Sequence, residues 1–213
     1  MSDARPAAIF DFDGTIADTM LVIAASYNAH APDYGLPHVA PADYDRIREQ
    51  GAAKFMKSLG LSAFRLLRFI QLVQRDMREN MEKIKPFAGI PEVLHKLHKT
   101  YELAIVTSNQ EDIVSAFLQR HDLSGVFSHI RCEKNYFGKA PIIKKTVLEL
   151  ASLDSAIYIG DEARDVVAAT KAGVPAISVT WGFDLEPALL AAHPVAIAHT
   201  PLELQAAITH HLG

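Results

Sequence analysis

A single cysteine, Cys132, stands among 213 residues. One cysteine cannot build an intrachain disulfide framework, and this usage fits a reducing cytosol, so a cytoplasmic setting is expected. Basic charge is not in excess either. Lysine and arginine number 21 against 25 aspartates and glutamates, a net charge of −4. No nucleic-acid partner and no membrane surface are therefore expected. No apolar run approaches the length of a membrane span. No early stretch joins a basic start, an apolar run and a cleavage site, so no signal peptide is expected. Low-complexity tracts and fixed-period repeats are missing as well. What is present is an apolar fraction of 49%. That is ample for a globular core, in a length that suits one large domain or a core with a modest insertion.

Short apolar, β-branched runs alternate with helical patterns, which predicts an α/β sheet. Strands are expected at Ala7–Phe12, Glu102–Thr107, Ile130–Cys132, Ala156–Gly160, Ala176–Thr180 and Val195–Ala198. Helices are expected to start near Pro91, Gln110, Pro141, Arg164, Pro187 and Pro201, and proline is welcome in a first helical turn. The stretch from Ile16 to Lys85 breaks this rhythm and shows no convincing strand. It reads as helices at Asp18–Ala31, Ala42–Gln50, Ala53–Leu59 and Ser62–Ile84, the last with an apolar stripe at Phe64, Leu67, Ile70, Leu72, Val73 and Met77. Pro86–Gly89 then reads as a return linker. The expected division is a core of 1–15 and 87–213 with a helical insert over 16–86. An insert sprouting from the end of the first strand lies over the strand ends, where open α/β sheets bind ligands.

The most informative run is Ala7-Ala8-Ile9-Phe10-Asp11-Phe12-Asp13-Gly14-Thr15, an apolar strand closing on two aspartates and a glycine turn. Alternate residues of a strand share a face, so Asp11 and Asp13 are expected to project together. Two such carboxylates repel unless a cation sits between them or one holds a proton. Later strands end on further polar groups. Thr107-Ser108-Asn109 offers a hydroxyl and backbone N–H groups as an anion cradle. Lys139 precedes a helix start in Phe137-Gly138-Lys139-Ala140-Pro141. Gly160 is followed by Asp161 and, four residues on, Asp165, one face of a helical turn if a helix has begun.

Taken in this order, the pieces resemble the haloacid dehalogenase superfamily of phosphohydrolases. The match spans nearly the whole chain. The run Ile159–Phe183, with Thr180-Trp181-Gly182-Phe183, is similar to phosphoglycolate-phosphatase-like members, and the insert is similar to their small α-helical cap. The resemblance implies a Rossmann-like parallel sheet with that cap. It implies a Mg²⁺-dependent phosphatase acting on a small phosphorylated metabolite, 2-phosphoglycolate being the leading example. It makes Asp11 the nucleophile and Asp13 the acid and then base. It also implies Mg²⁺ held by Asp11, Asp13 through its backbone carbonyl, and Asp161, with Asp165 ligating through water or orienting the ligands. Thr107, Ser108, Asn109 and Lys139 are to hold phosphoryl oxygens. Arg48, Gln50 and Lys54 flank Gly51 in the insert and are the expected substrate contacts. Two departures stand out: Lys139 is followed by Ala140-Pro141 where many relatives have Lys-Pro, leaving Lys144 and Lys145 as backups, and Glu162 stands where a small hydroxyl residue is common.

An EF-hand needs a glutamate at its twelfth loop position between two helices, which Asp11–Val22 lacks. Any single aspartate could simply cap a helix, but the ordered set argues otherwise. His95, His98 and the pair His210-His211 lack partners at structural-zinc spacing. Cys132 reads as a small buried apolar residue. A metal-independent dehalogenase, a phosphomutase of the same superfamily and a non-catalytic phosphate-binding protein remain open, as does a monomer against a homodimer.

Overall fold

The computed structural model describes residues 5–133 and 138–213. Phe137 of the lysine-bearing segment lies outside them. The chain opens with β1 (Ala7–Phe10), whose residues are all buried. After a turn comes β2 (Ala17–Asp18). Then follow α1 (Met20–His30), α2 (Tyr44–Gln50), α3 (Ala52–Ser58) and α4 (Ala63–Glu79). β3 (Lys85–Pro86) pairs antiparallel with β2, so a two-residue ribbon joins the two ends of the helical insert. No strand was expected there. The ribbon is too short to carry a periodic pattern.

From β3 onward helices and strands alternate. They are α5 (Ile90–Leu97), β4 (Glu102–Thr107), α6 (Glu111–Arg120), β5 (His129–Cys132), α7 (Ala140–Leu150) and β6 (Ala156–Gly160). α8 (Ala163–Ala172), β7 (Ala176–Val179), α9 (Glu186–Leu190), β8 (Ala196–Ala198) and α10 (Pro201–Leu212) complete the chain. The main sheet has six parallel strands in the order β5-β4-β1-β6-β7-β8. Strand order reverses around β1 and β6, and a crevice opens at such a reversal beyond the carboxyl ends of the strands.

Both faces of the sheet are covered, as a parallel sheet requires. Phe10, Ile105 and Ile159 face one core with α5, α6 and α10 residues, while Ile9, Val106 and Tyr158 face the other with α7 and α8 residues. This alternation is the period of two set by the pleat. The insert has a small core of its own, with Tyr27, Ala31, Val39 and Phe69 buried. In α4 the buried residues are Phe69, Gln74 and Met77. The expected stripe therefore fails at its start, since Phe64 is 68% and Leu67 43% exposed. The helix also stops at Glu79, short of Ile84, and gives way to a 3₁₀ turn at Met81–Lys83. Among the described residues, no helix is long and apolar enough to cross a membrane.

Candidate active site

β1 stops at Phe10, and Asp11 leaves it with its N–H still bonded to the Ile159 carbonyl of β6 at 2.8 Å. Asp161 directly follows β6, and Asp165 sits in the first turn of α8. The helix begins only at Ala163, so Asp161 is a strand-end residue rather than one on a helical face. Even so, carboxylate oxygens of Asp11, Asp161 and Asp165 lie within 4.8 Å of one another, all buried. Asp13 is not part of this trio by its carboxylate. Both of its oxygens accept from the Asn109 side-chain amide, at 3.1 and 2.9 Å. The two aspartates of the first turn thus face different partners, because the strand ends before either of them.

Lys139 lies across the cluster. Its Nζ is 2.5 Å from Asp11 Oδ2 and 2.8 Å from Asp165 Oδ1. Burial opposes its charge, but Asp11 and Asp165 outweigh that and hold its pKa well above the usual lysine value. The alternatives Lys144 and Lys145 are exposed on α7. The other Asp11 oxygen accepts from the Phe12 N–H at 2.8 Å. Thr107, at the end of β4, is buried and its hydroxyl oxygen accepts from the Asn109 N–H at 3.1 Å, leaving the hydroxyl proton to donate elsewhere.

Asp161 is fixed by parts the motif reading gave no role. Its carboxylate accepts from the Thr15 hydroxyl at 2.9 Å and from the Phe183 N–H at 2.7 Å. Gly14 and Gly182 press against it so closely that a Cβ on either would run into the carboxylate, and Gly14 also has φ +73°. Burial raises the pKa of Asp161 well above the ordinary carboxylate value, and neighbouring Glu162, Asp165 and Asp11 push it further. Asp11 is raised too, first by burial, with Lys139 opposing. Burial and the Asp11 charge push Asp13 up to about 7, against the Asn109 hydrogen bond. Glu162 does not join the trio. It is buried against the Arg164 guanidinium, and burial raises its pKa to about 7.

The remaining expected residues divide. Ser108 places its carbonyl against the Gln74 amide of α4 at 3.3 Å, so this turn also anchors the insert. Asn109 orients Asp13 rather than pointing an amide at open space. Arg48 turns to the core: Nε donates to the Gly182 carbonyl at 3.0 Å and a terminal nitrogen to the Thr180 carbonyl at 3.3 Å. Gln50 and Lys54 are exposed on the insert. Asp184 was not foreseen at all. It is buried and accepts from the Ala52 N–H of α3 at 2.7 Å and the Ala163 N–H of α8 at 2.8 Å. A lone acidic residue in a loop carries no pattern that would reveal this.

The family model of haloacid dehalogenase-like hydrolases matches residues 8–179, most of the chain. The chain belongs to the haloacid dehalogenase-like hydrolase family. Among curated relatives, the phosphoglycolate phosphatase of Synechococcus elongatus is 35% identical over 205 residues, covering 95% of this chain and 97% of the relative. The phosphoglycolate phosphatase of Agrobacterium fabrum is 30% identical over 195 residues, with 84% and 82% covered. Among solved structures, a haloacid dehalogenase-like family hydrolase from Streptococcus pneumoniae superposes with a TM-score of 0.79 at 24% identity, covering 96% of this chain and 98% of that one. This last likeness is one of fold. This haloacid dehalogenase-like hydrolase carries its acidic trio at the reversal point of a fold it shares along nearly its whole length.

Proposed function

We propose that this hydrolase, a phosphatase, cleaves a small phosphate monoester, 2-phosphoglycolate in the first instance, through an aspartyl-phosphate formed on Asp11. Residues 16–86 act as the cap over a core of 1–15 and 87–213. The observation that carries this reading is the trio of buried carboxylates with Lys139 across it and a separately held Asp13 beside it. Two curated relatives at 35% and 30% identity, each aligned over most of the chain, are phosphoglycolate phosphatases, which supports the choice of substrate.

The donor set fits Mg²⁺. Asp11, Asp161 and Asp165 offer only oxygen, in a buried cluster of like charge that one lysine does not neutralise. These residues, with the Asp13 carbonyl, would hold the ion, which when bound offsets the charge of the phosphoryl group.

The chain's own residues account for the bond changes. An Asp11 oxygen attacks phosphorus in line, and the bond from phosphorus to the leaving oxygen breaks. Asp13, with its pKa near neutrality, gives its proton to that oxygen. The ionised Asp13 then takes a proton from the water that attacks the phosphoryl-aspartate, which frees Asp11 and releases phosphate. Asn109 keeps both Asp13 oxygens in place during these transfers. The Thr107 hydroxyl and Lys139 stabilise the phosphoryl oxygens as charge moves onto them. The seated cap excludes bulk water, with Gln50 and Lys54 as its contacts to the substrate.

A phosphate-release assay over a panel of monoesters, with Mg²⁺ or with chelator, tests this reading. Release from 2-phosphoglycolate that needs Mg²⁺ and vanishes in Asp11→Asn supports it. Transfer to a second sugar position without phosphate release would instead indicate a mutase. No turnover of any phosphate would indicate a binding protein.

A further inference from the structure

The segment 180–185 between β7 and α9 touches the core and the insert at once. Toward the core, the Phe183 N–H holds Asp161 Oδ2 at 2.7 Å, and the Asp184 N–H reaches the Asp161 carbonyl at 3.3 Å. Gly182 lies flat against the same side chain. Toward the insert, the Thr180 and Gly182 carbonyls receive the Arg48 guanidinium, and the Leu185 N–H donates to the Arg48 carbonyl at 3.0 Å. The Asp184 carboxylate spends one oxygen on Ala52, in the insert, and the other on Ala163, in the core. It cannot rotate to favour one without weakening the other.

We propose that this segment couples the seat of the insert to the geometry of Asp161, with Arg48 and Asp184 as positioning residues. The proposal rests on the reading of Asp161 as a Mg²⁺ ligand. Three features support a coupling rather than a plain anchor. The Arg48 guanidinium is well shielded, while its ion-pair partner Asp45 is 85% exposed at 3.5 Å, so the backbone carbonyls are its main attachment. The gripped Gly182 and the Asp161-holding Phe183 are adjacent in sequence, so a shift of one moves the other. Asp184 also accepts from the first N–H of the helix that carries Asp165. By linkage, if the seated insert favours ion binding, the ion must favour the seated insert by the same factor.

The test uses the full chain without substrate. Mg²⁺ affinity is measured by calorimetry in wild type and in Arg48→Met. Amide exchange at Ala52 is followed with and without Mg²⁺. The expected result is a loss of Mg²⁺ affinity of about fivefold or more in Arg48→Met, and slower Ala52 exchange on Mg²⁺ addition in wild type only. An anchor without coupling would lower thermal stability and leave both readouts unchanged, which overturns the proposal. Should Arg48→Met not fold, Arg48→Lys keeps the charge, loses the two-carbonyl reach and is held to the same outcomes. A wild type that binds no Mg²⁺ overturns the metal reading and the coupling with it. A wild type and variant that bind equally overturn the coupling alone.

Discussion

Replacing Lys139 with methionine should expose how much of this fold is organised around one buried cation. The side chains of Lys139, Asp11 and Asp165 are 10%, 6% and 1% exposed. Methionine keeps the length of the stem and removes the charge. Removing one partner of a buried ion pair costs roughly 3–5 kcal/mol, because the other charge is left uncompensated. The lower end applies here, since the stranded Asp11 carboxylate can take up a proton instead. For a domain of this size about 3 kcal/mol corresponds to a melting temperature lower by roughly 6–12 °C. The pH dependence has a definite sign. Asp11 already has a folded-state pKa above the ordinary one, first through burial, and losing the opposing lysine raises it further. The folded variant then binds more protons than its unfolded chain, so its stability falls as pH rises through that raised pKa and returns as pH drops. Mg²⁺ should also restore it, by about 2.7 kcal/mol at a hundredfold excess over its dissociation constant. Thermal melts in chelator and in Mg²⁺, on either side of pH 6, read all three effects. A variant that melts like wild type in chelator at neutral pH, or that loses stability on mild acidification, would refute the reasoning.

Asp13→Asn should lower steady-state kcat by about 10²–10⁴ with alkyl and aryl phosphates alike, because both share the water-activating step, while in rapid-quench kinetics the burst that forms the phosphoryl-aspartate should survive only with an aryl phosphate that needs no proton. Gly182→Ala places a Cβ against Asp161. It should cost about 1–3 kcal/mol in urea unfolding and weaken Mg²⁺ binding in a calorimetric titration. Within the insert, burial opposes ionisation of Asp76, but hydrogen bonds from Ser26, His30 and Arg75 outweigh it and hold its pKa below the usual carboxylate value. Its contribution is present above the unfolded-state pKa and is lost as pH falls through the folded one. Amide protection in α1 and α4 should therefore drop below about pH 4 in wild type, and at neutral pH already in Asp76→Asn.

The core strands were legible because a parallel sheet covered on both faces leaves short continuous apolar runs. Glu102–Thr107 and Ala156–Gly160 have the same bounds in the structure as in the sequence reading. Helix starts marked by Pro91, Pro141 and Pro201 were legible because proline is favoured where the first N–H groups have no partner. The insert read less well. In α4, Phe64 fits an apolar period yet lies in solvent, while polar Gln74 is buried because it bonds Ser108 and Gln110, which follow β4. Periodicity ranks side chains by polarity and cannot see a partner distant in sequence. The same limit hid Asp184 and the hydrogen bonds that Arg48 makes to the Gly182 and Thr180 carbonyls. Their partners are backbone groups, which carry no sequence signal. Asp11, Asp161 and Lys139 were legible for the opposite reason, since strand-end acids and a pre-helix lysine in a fixed order carry their own pattern.

The central claim is that Asp11 bonds to phosphorus. Its most direct test is to quench the enzyme during turnover of 2-phosphoglycolate, or of an aryl phosphate, and to locate the covalent phosphoryl group by peptide mass spectrometry. The account predicts one acid-stable, hydroxylamine-labile phosphoryl group on the peptide containing Asp11, absent from Asp11→Asn. A phosphoryl group on any other residue, or turnover by Asp11→Asn at the wild-type rate, would contradict it.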